Sequence, residues 1–337
     1  MDIQKVLAEY DSMFGKYTLK EIEGFLLKHL SEARFKSEHE ELVTLLNEAI
    51  GFYRDTTQKE KALKNCGALM EHLVEMKLEG TIPYATSLLN IANAFRAFDL
   101  HKEAVQLFEK VEEIYGNHIS KEDFMYASLY NNWALAYQES GEYDKAAEML
   151  RKALKIVDLY KEAIIPQATT RTNLASSLLA IGTESAYQEA VEHLSNALAI
   201  FEKDGGKDFH YGAALVAMGD AYSYKENYRK AAEYYKAGMA EVEKHTGKND
   251  NYARVQEKYE FALTMLKNND TWQSNMDRSK AFYESAGKAM IEKHFPQYAG
   301  RIAVGLVGEG SDCFGFDDEI SSDHDYAPGF CMWLTEK

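Results

Sequence analysis

The sequence predicts an all-α chain of stacked antiparallel helix pairs, followed by a short, incomplete α/β segment at the C-terminal end. Three observations carry this. Proline is scarce, four in 337 residues, and Ala, Leu, Glu and Lys are abundant, a composition that favours helix. Four units of one pattern recur, their small anchor residues spaced 41 to 44 residues apart. The last stretch changes character: residues 302–337 hold eight acids and one base and open with the small, apolar run Ile302 to Val307.

Composition bounds the function classes. With 46% hydrophobic residues, 22 Tyr and 16 Phe, the chain can bury a long core and is not a disordered polymer. A net charge of −16 repels nucleic-acid backbones, so the average surface excludes a free duplex or RNA as partner of the repeats. Cys66, Cys313 and Cys331 form no CxxC pair, which fits a reducing compartment. The first residues, MDIQKVLAEYDSMFG, carry neither a basic nor an apolar leader region. No window approaches the ~18–20 apolar residues of a membrane span. A soluble, cytoplasmic protein is expected.

Residues 1–36 read as a helical cap. Thr18 followed by Glu21, and Ser37 followed by Glu40, each predict a capping box at a helix start. Residues 37–295 hold the repeats. The clearest unit is YNNWALAYQESGEYDKAAEMLRKAL, residues 130–154, with Ala134, Tyr137, Gly141, Tyr143, Ala146, Leu150 and Ala153 at its marked positions. A second copy carries Ala92, Phe95, Ala104 and Phe108, and a third Gly219, Tyr222, Tyr228, Ala231 and Tyr235. A further copy carries Ala175, Leu178, Gly182, Ala190, Leu194 and Ala197, with three extra residues expected in the turn before Tyr187. Small residues let two helix backbones approach, while aromatics and leucines fill the groove between successive pairs. Pro83 and Pro166 fall where helices begin. Degenerate pairs are expected around residues 45–79 and 251–290.

These offsets resemble the tetratricopeptide repeat, and the long period resembles its extended variety in kinesin light chains and bacterial peptide-sensing regulators. The resemblance covers residues 81–246 and implies an α-α superhelix whose first helices line an inner wall able to bind a protein or peptide. Polar first-helix residues are the candidates for contact: Asn93, Arg96, Asn131, Asn132, Gln138, Thr170, Arg171, Asn173 and Asp220. Asn131, Asn173 and Arg171 stand out, because an asparagine amide can bridge the N–H and the C=O of a bound backbone. The aromatics at consensus positions read as core. The histidines outside the tail show no HExxH or other ligand spacing.

The tail, residues 296–337, carries the second motif, GEGSDCFGFDDEISSDHDY. Asp323 and Asp325 alternate on a predicted extended segment and so share a face. Two carboxylates held together favour a hard divalent cation, Mg²⁺ above all. The order of strand, Gly-Ser, a dozen residues and Asp-x-Asp resembles the polymerase-β-type nucleotidyltransferases, and an uncharacterised bacterial family in which tetratricopeptide repeats precede such a domain. The resemblance implies that Gly310 and Ser311 cradle the phosphates of an NTP, and that Asp323 and Asp325 are the catalytic metal ligands. It also implies a third carboxylate on a later strand. The sequence given reaches only Lys337, so the expectation is a truncated domain, inactive by itself, attached to a peptide-binding scaffold. The alternatives are a non-enzymatic interaction scaffold or a peptide-sensing regulator, the latter without a basic DNA-reading segment.

Overall fold

The computed structural model describes residues 1–203, 209–268, 275–298, 302–305 and 331–334. Two compact units, Met1–Glu260 and Phe261–Lys337, divide the chain. The first opens with α1 (Ile3–Met13) and α2 (Leu19–Lys36). Five antiparallel pairs follow. They are α3 (His39–Asp55) with α4 (Lys59–Glu75), α5 (Ile82–Ala97) with α6 (His101–His118), and α7 (Phe124–Glu139) with α8 (Tyr143–Val157). The last two are α9 (Ile164–Ile181) with α10 (Glu184–Lys203), and α11 (Phe209–Tyr224) with α12 (Tyr228–Thr246). Helix α13 (Asp250–Asn268) comes next. The segment around residues 45–79, expected to be degenerate, is a full helix pair.

The close approach within each pair rests on residues without bulk. Ala49, Ala92, Ala134 and Ala175 of the first helices are fully buried, as are Ala62, Ala104, Ala146, Ala190 and Ala231 of the second. In α11 the equivalent position is Gly219, where a Cβ would stand 2.6 Å from the ring of Tyr235. That ring is buried and its hydroxyl donates to Asp220 at 2.8 Å, so it has little room to yield. Aromatics at the consensus positions fill the core: Tyr130, Trp133, Tyr137, Tyr228 and Tyr235 are buried. Tyr143 departs from that expectation and is exposed at the start of α8.

One backbone device closes the turn of every pair. The residue two before the second helix adopts positive φ: Thr57, Asp99, Gly141, Gly182 and Glu226. In four of the five, the next residue's N–H reaches the carbonyl five positions back (Gln58 to Tyr53, Leu100 to Phe95, Glu142 to Tyr137, Asn227 to Tyr222) at 2.8–3.0 Å. This pattern satisfies carbonyls at the helix end that lack a partner within the helix.

The fourth pair, α9 with α10, corrects the sequence reading. The extra residues before Tyr187 extend α10 instead of the turn. Helix α9 stops at Gly182, and Thr183 Oγ1 accepts the Ala186 N–H at 3.2 Å, which starts α10 at Glu184.

At the N-terminal end the Thr18 box forms in full: Glu21 accepts the Thr18 N–H at 2.8 Å and Thr18 Oγ1 accepts the Glu21 N–H at 3.3 Å. The Ser37 box does not form. Ser37 is the left-handed C-cap of α2, and α3 starts after Glu38 without a side-chain cap. A short connection makes one residue end the first helix before it can start the second.

The second unit contains α14 (Asn275–Phe282), a π-helical turn Tyr283–Gly287, α15 (Lys288–His294) and a 3-10 turn Pro296–Tyr298. Strands β1 (Ile302–Gly305) and β2 (Cys331–Leu334) pair antiparallel, Ile302 opposite Leu334 and Gly305 opposite Cys331. The candidates Gly310, Ser311, Asp323 and Asp325 lie outside the described residues.

The strain at Thr57 is testable. A β-branched residue at φ 57° costs about 1–2 kcal/mol, partly offset by the extra unfolded-state entropy of glycine. Thr57→Gly is therefore expected to stabilise the fold by about 0.5–1 kcal/mol in urea titration.

Candidate functional site

First helices pack not only on their own partners but on each other: α3 on α5, α5 on α7, α7 on α9 and α9 on α11. Successive second helices make no packing of that extent among the described residues. The first helices therefore converge, and their free faces form the inner wall of the stack.

On that wall Asn47, Asn90, Asn132 and Asn173 hold one position in four successive helices, each two residues before a buried alanine. All four are half-buried. Asn47 Nδ2 donates to Val43 O at 3.0 Å and to Ser87 Oγ at 3.2 Å. Asn90 Nδ2 donates across to Asn47 O and Oδ1, at 3.0 and 3.1 Å. Asn132 Nδ2 turns back to Ser128 O at 2.8 Å. The Asn173 amide makes no hydrogen bond among the described residues, while the Asn173 carbonyl accepts from Gln138 Nε2 at 2.9 Å. The ladder tightens toward the N-terminal pairs and opens toward α7 and α9. The repeated Asn-x-Ala spelling is the signal that would have revealed Asn47 and Asn90 as members.

The residues singled out from the sequence divide into tied and untied groups. Asn131 Nδ2 is taken by Ala127 O at 3.1 Å and Thr170 Oγ1 at 2.9 Å, and its Oδ1 is buried with no partner. Asn93 Oδ1 and Thr169 Oγ1 are likewise buried without one. Arg171 is drawn back to Asp158 at 2.9 Å and to Gln167 O at 3.2 Å. Arg96 pairs with Glu139 of the next first helix, and burial still holds that carboxyl above its usual range. Gln138 also donates to Ser177 at 2.7 Å, and Asp220 accepts from Tyr235 and Lys258. Thr170 is buried as the acceptor for Asn131. Arg96, Asn131 and Gln138 join one first helix to the next, a pairing that sequence order does not reveal. Two histidines unremarkable in the sequence, His39 and His72, stack with ring nitrogens 3.3 Å apart.

At the N-terminal end of the wall, Glu48 of α3 is half-buried beside Asp11 of α1. Burial, and then the charge of Asp11, raise its pKa. The same carboxylates, with Asp55, push the buried Tyr10 phenol upward after burial itself.

The tetratricopeptide-repeat family pattern matches residues 166–240 and, in a second form, residues 127–160. The chain carries tetratricopeptide repeats. No curated protein matches the chain. Among solved structures, a kinesin-light-chain-like protein of Podosopora anserina with nearly identical TPR-like repeats is 22% identical. The match covers 64% of this chain and 97% of that one, with a TM-score of 0.50. The quorum sensor NprR from B. thuringiensis, in its apo form, is 16% identical over 86% of this chain and 78% of that one, with a TM-score of 0.55. NprR bound to its cognate peptide NprX aligns at 16% identity over 84% and 82%, with a TM-score of 0.56. At these identities the likeness is one of fold. No helix among the described residues is long and apolar enough to cross a membrane.

The raised pKa of Glu48 sets a sign for stability. The folded state prefers the protonated carboxyl, so this group's contribution is lost as pH rises through its raised folded value. Glu48→Gln is expected to melt above the parent near pH 7.5, with the gap closing as pH falls below the unfolded glutamate value of about 4.3, where the parent carboxyl becomes protonated in both states. A gap that widens toward acid would contradict the assignment.

Proposed function

We propose that the repeats form a scaffold that binds an extended peptide or a partner protein's segment along the first-helix wall. The asparagine ladder carries this reading. Four amides at one repeat position are spaced by the stack rather than by a single helix, the arrangement a strand of backbone requires. Asn132 and Asn173 offer the least committed groups, because the Asn173 side-chain amide makes no hydrogen bond among the described residues and only the Nδ2 of Asn132 is used. Asn131 and Arg171 contribute second. The Asn131 Oδ1 is an orphan acceptor, and an unsatisfied buried acceptor costs about 1–3 kcal/mol, which a ligand N–H would offset. Arg171 can exchange Asp158 for a ligand carboxylate. Two proteins with this fold are solved with a partner bound: NprR with its cognate peptide NprX, and a Rap protein with Competence and Sporulation Factor. That supports the reading by analogy of architecture.

A peptide selected on the full chain from a displayed random library is expected to bind at least ten-fold more weakly to Asn132→Ala/Asn173→Ala, by fluorescence polarisation, with melting unchanged. Equal affinity would remove the ladder from the site.

A second reading concerns the tail. Strands β1 and β2 pair antiparallel, Gly305 opposite Cys331, and the sequence between them is residues 306–330. Gly310, Ser311, Asp323 and Asp325 lie within it. On this reading the segment opens a nucleotidyl-transfer domain, with the aspartates holding Mg²⁺ and the Gly-Ser turn meeting an NTP. Mn²⁺ substituting for Mg²⁺ is expected to bind the chain, as seen by electron paramagnetic resonance, and to be released in Asp323→Asn/Asp325→Asn. Retained Mn²⁺ in that variant would refute the ligand assignment.

A further inference from the structure

Helices α1, α3 and α5 enclose a cleft of about 730 Å³, a size typical of pockets that swallow a compact ligand group. Its lining is two-natured. Tyr10, Phe14 and Phe52 supply aromatic surface, while Asp11 and Glu48 supply carboxylates. Tyr10 and Phe14 meet edge to face at 5.2 Å, and Phe14 leaves 48% of its surface open. Neither Asp11 nor Glu48 has a hydrogen bond or ion pair among the described residues. The cleft's one cation among those residues, Arg54, is bound through Nε to Asp55 at 2.7 Å. The opening is therefore left with uncompensated negative charge beside aromatic faces.

From this geometry we infer that the cleft takes a lysine or arginine side chain of the bound peptide. The inference rests on the scaffold reading and deepens it by naming what the N-terminal end of the wall selects. A basic side chain matches both halves of the lining. Its methylene stem lies along apolar surface while its head reaches a carboxylate, and aromatic faces add a further attraction for a cation. A peptide is favoured over a free amine because Asn47 and Asn90 of the ladder line the same cleft. The pocket is thus continuous with the surface where the backbone is to lie.

Burial supports the assignment. Glu48 is held partly protonation-prone by its half-buried site and by Asp11, and an incoming cation relieves both effects. The titratable groups that face it are Tyr10 and Asp11 from α1 and Arg54 and Asp55 from α3; α5 lines the cleft with neutral residues. Binding should weaken as pH falls through the raised Glu48 value, because the carboxylate that pairs with the cation is neutralised.

The test uses the full chain and a displayed library of random dodecamers. Peptides selected on the parent chain are expected to share Lys or Arg at one aligned position. The best of them, resynthesised with norleucine at that position, should lose at least ten-fold in affinity. The Asp11→Asn/Glu48→Gln variant should bind the basic peptide at least ten-fold more weakly and the norleucine peptide as the parent does. Circular dichroism and melting of that variant, expected no lower than the parent, exclude misfolding as the cause. Selected binders without a shared basic position, or a basic peptide indifferent to Asp11→Asn/Glu48→Gln, would overturn the inference and leave the scaffold standing. A library that yields no binder would overturn both.

Discussion

Close contact between helices at positions without bulk governs this molecule. Ala49 with Ala62, Ala92 with Ala104 and Ala134 with Ala146 recur as fully buried small residues. They allow the backbones of each pair to approach, so that the larger side chains fill the seam to the next pair. Because the small residues repeat at near-constant intervals, successive first helices pack on one another and a stack with an inner wall results. Gly219 shows how tight the constraint is, since even one methyl group there would meet the Tyr235 ring. The left-handed turn residue serves the same end, for it reverses the chain in a fixed number of residues and keeps both helices in register.

The wall inherits its chemistry from that stacking. A residue placed two before the buried alanine arrives at the same height on every first helix, so a single sequence position becomes a row. Some members of the row are spent on the stack itself: Asn90 is tied to Asn47, and Asn47 to Ser87. Others, such as Asn173, are left over. A scaffold needs both, because rigid rows present groups to a ligand without the entropic cost of ordering them at the moment of binding. The charge follows a similar logic. Arg96 pairs with Glu139 and Arg171 with Asp158, whereas Asp11 and Glu48 lie near each other with no ion pair to either among the described residues. Two like charges on neighbouring helices cost stability, and such a cost is the usual mark of a surface shaped for something other than folding.

Much of the architecture was legible in the chain. The repeat offsets, the positions of Pro83 and Pro166, the Thr18 box and the aromatic core all follow from local spacing, which depends on neighbours one to four residues away. The misreadings have local causes of another kind. Ser37 has the composition of a helix start, but it sits where one helix must end, and backbone reversal took precedence over the cap. The insert before Tyr187 was read as turn because turn length is conformational; Thr183 starting α10 at Glu184 made it helix. Asn93, Arg96 and Gln138 looked like solvent-facing polar groups, yet each is half-buried on the wall. Arg96 and Gln138 find partners some 35–43 residues away.

What the sequence determines alone is periodic: helix pairs, their length, the small residues that set their spacing, and an acidic tail with a recognisable spacing of Gly-Ser and paired aspartates. Tertiary structure decided the rest. It selected which asparagines are stapled and which remain available, and it brought Asp11 to Glu48 from separate helices. The physical reason is that a side chain's hydrogen bonds, burial and charge environment depend on the helix packed against it. That helix lies a whole repeat away along the chain, beyond the reach of any local pattern.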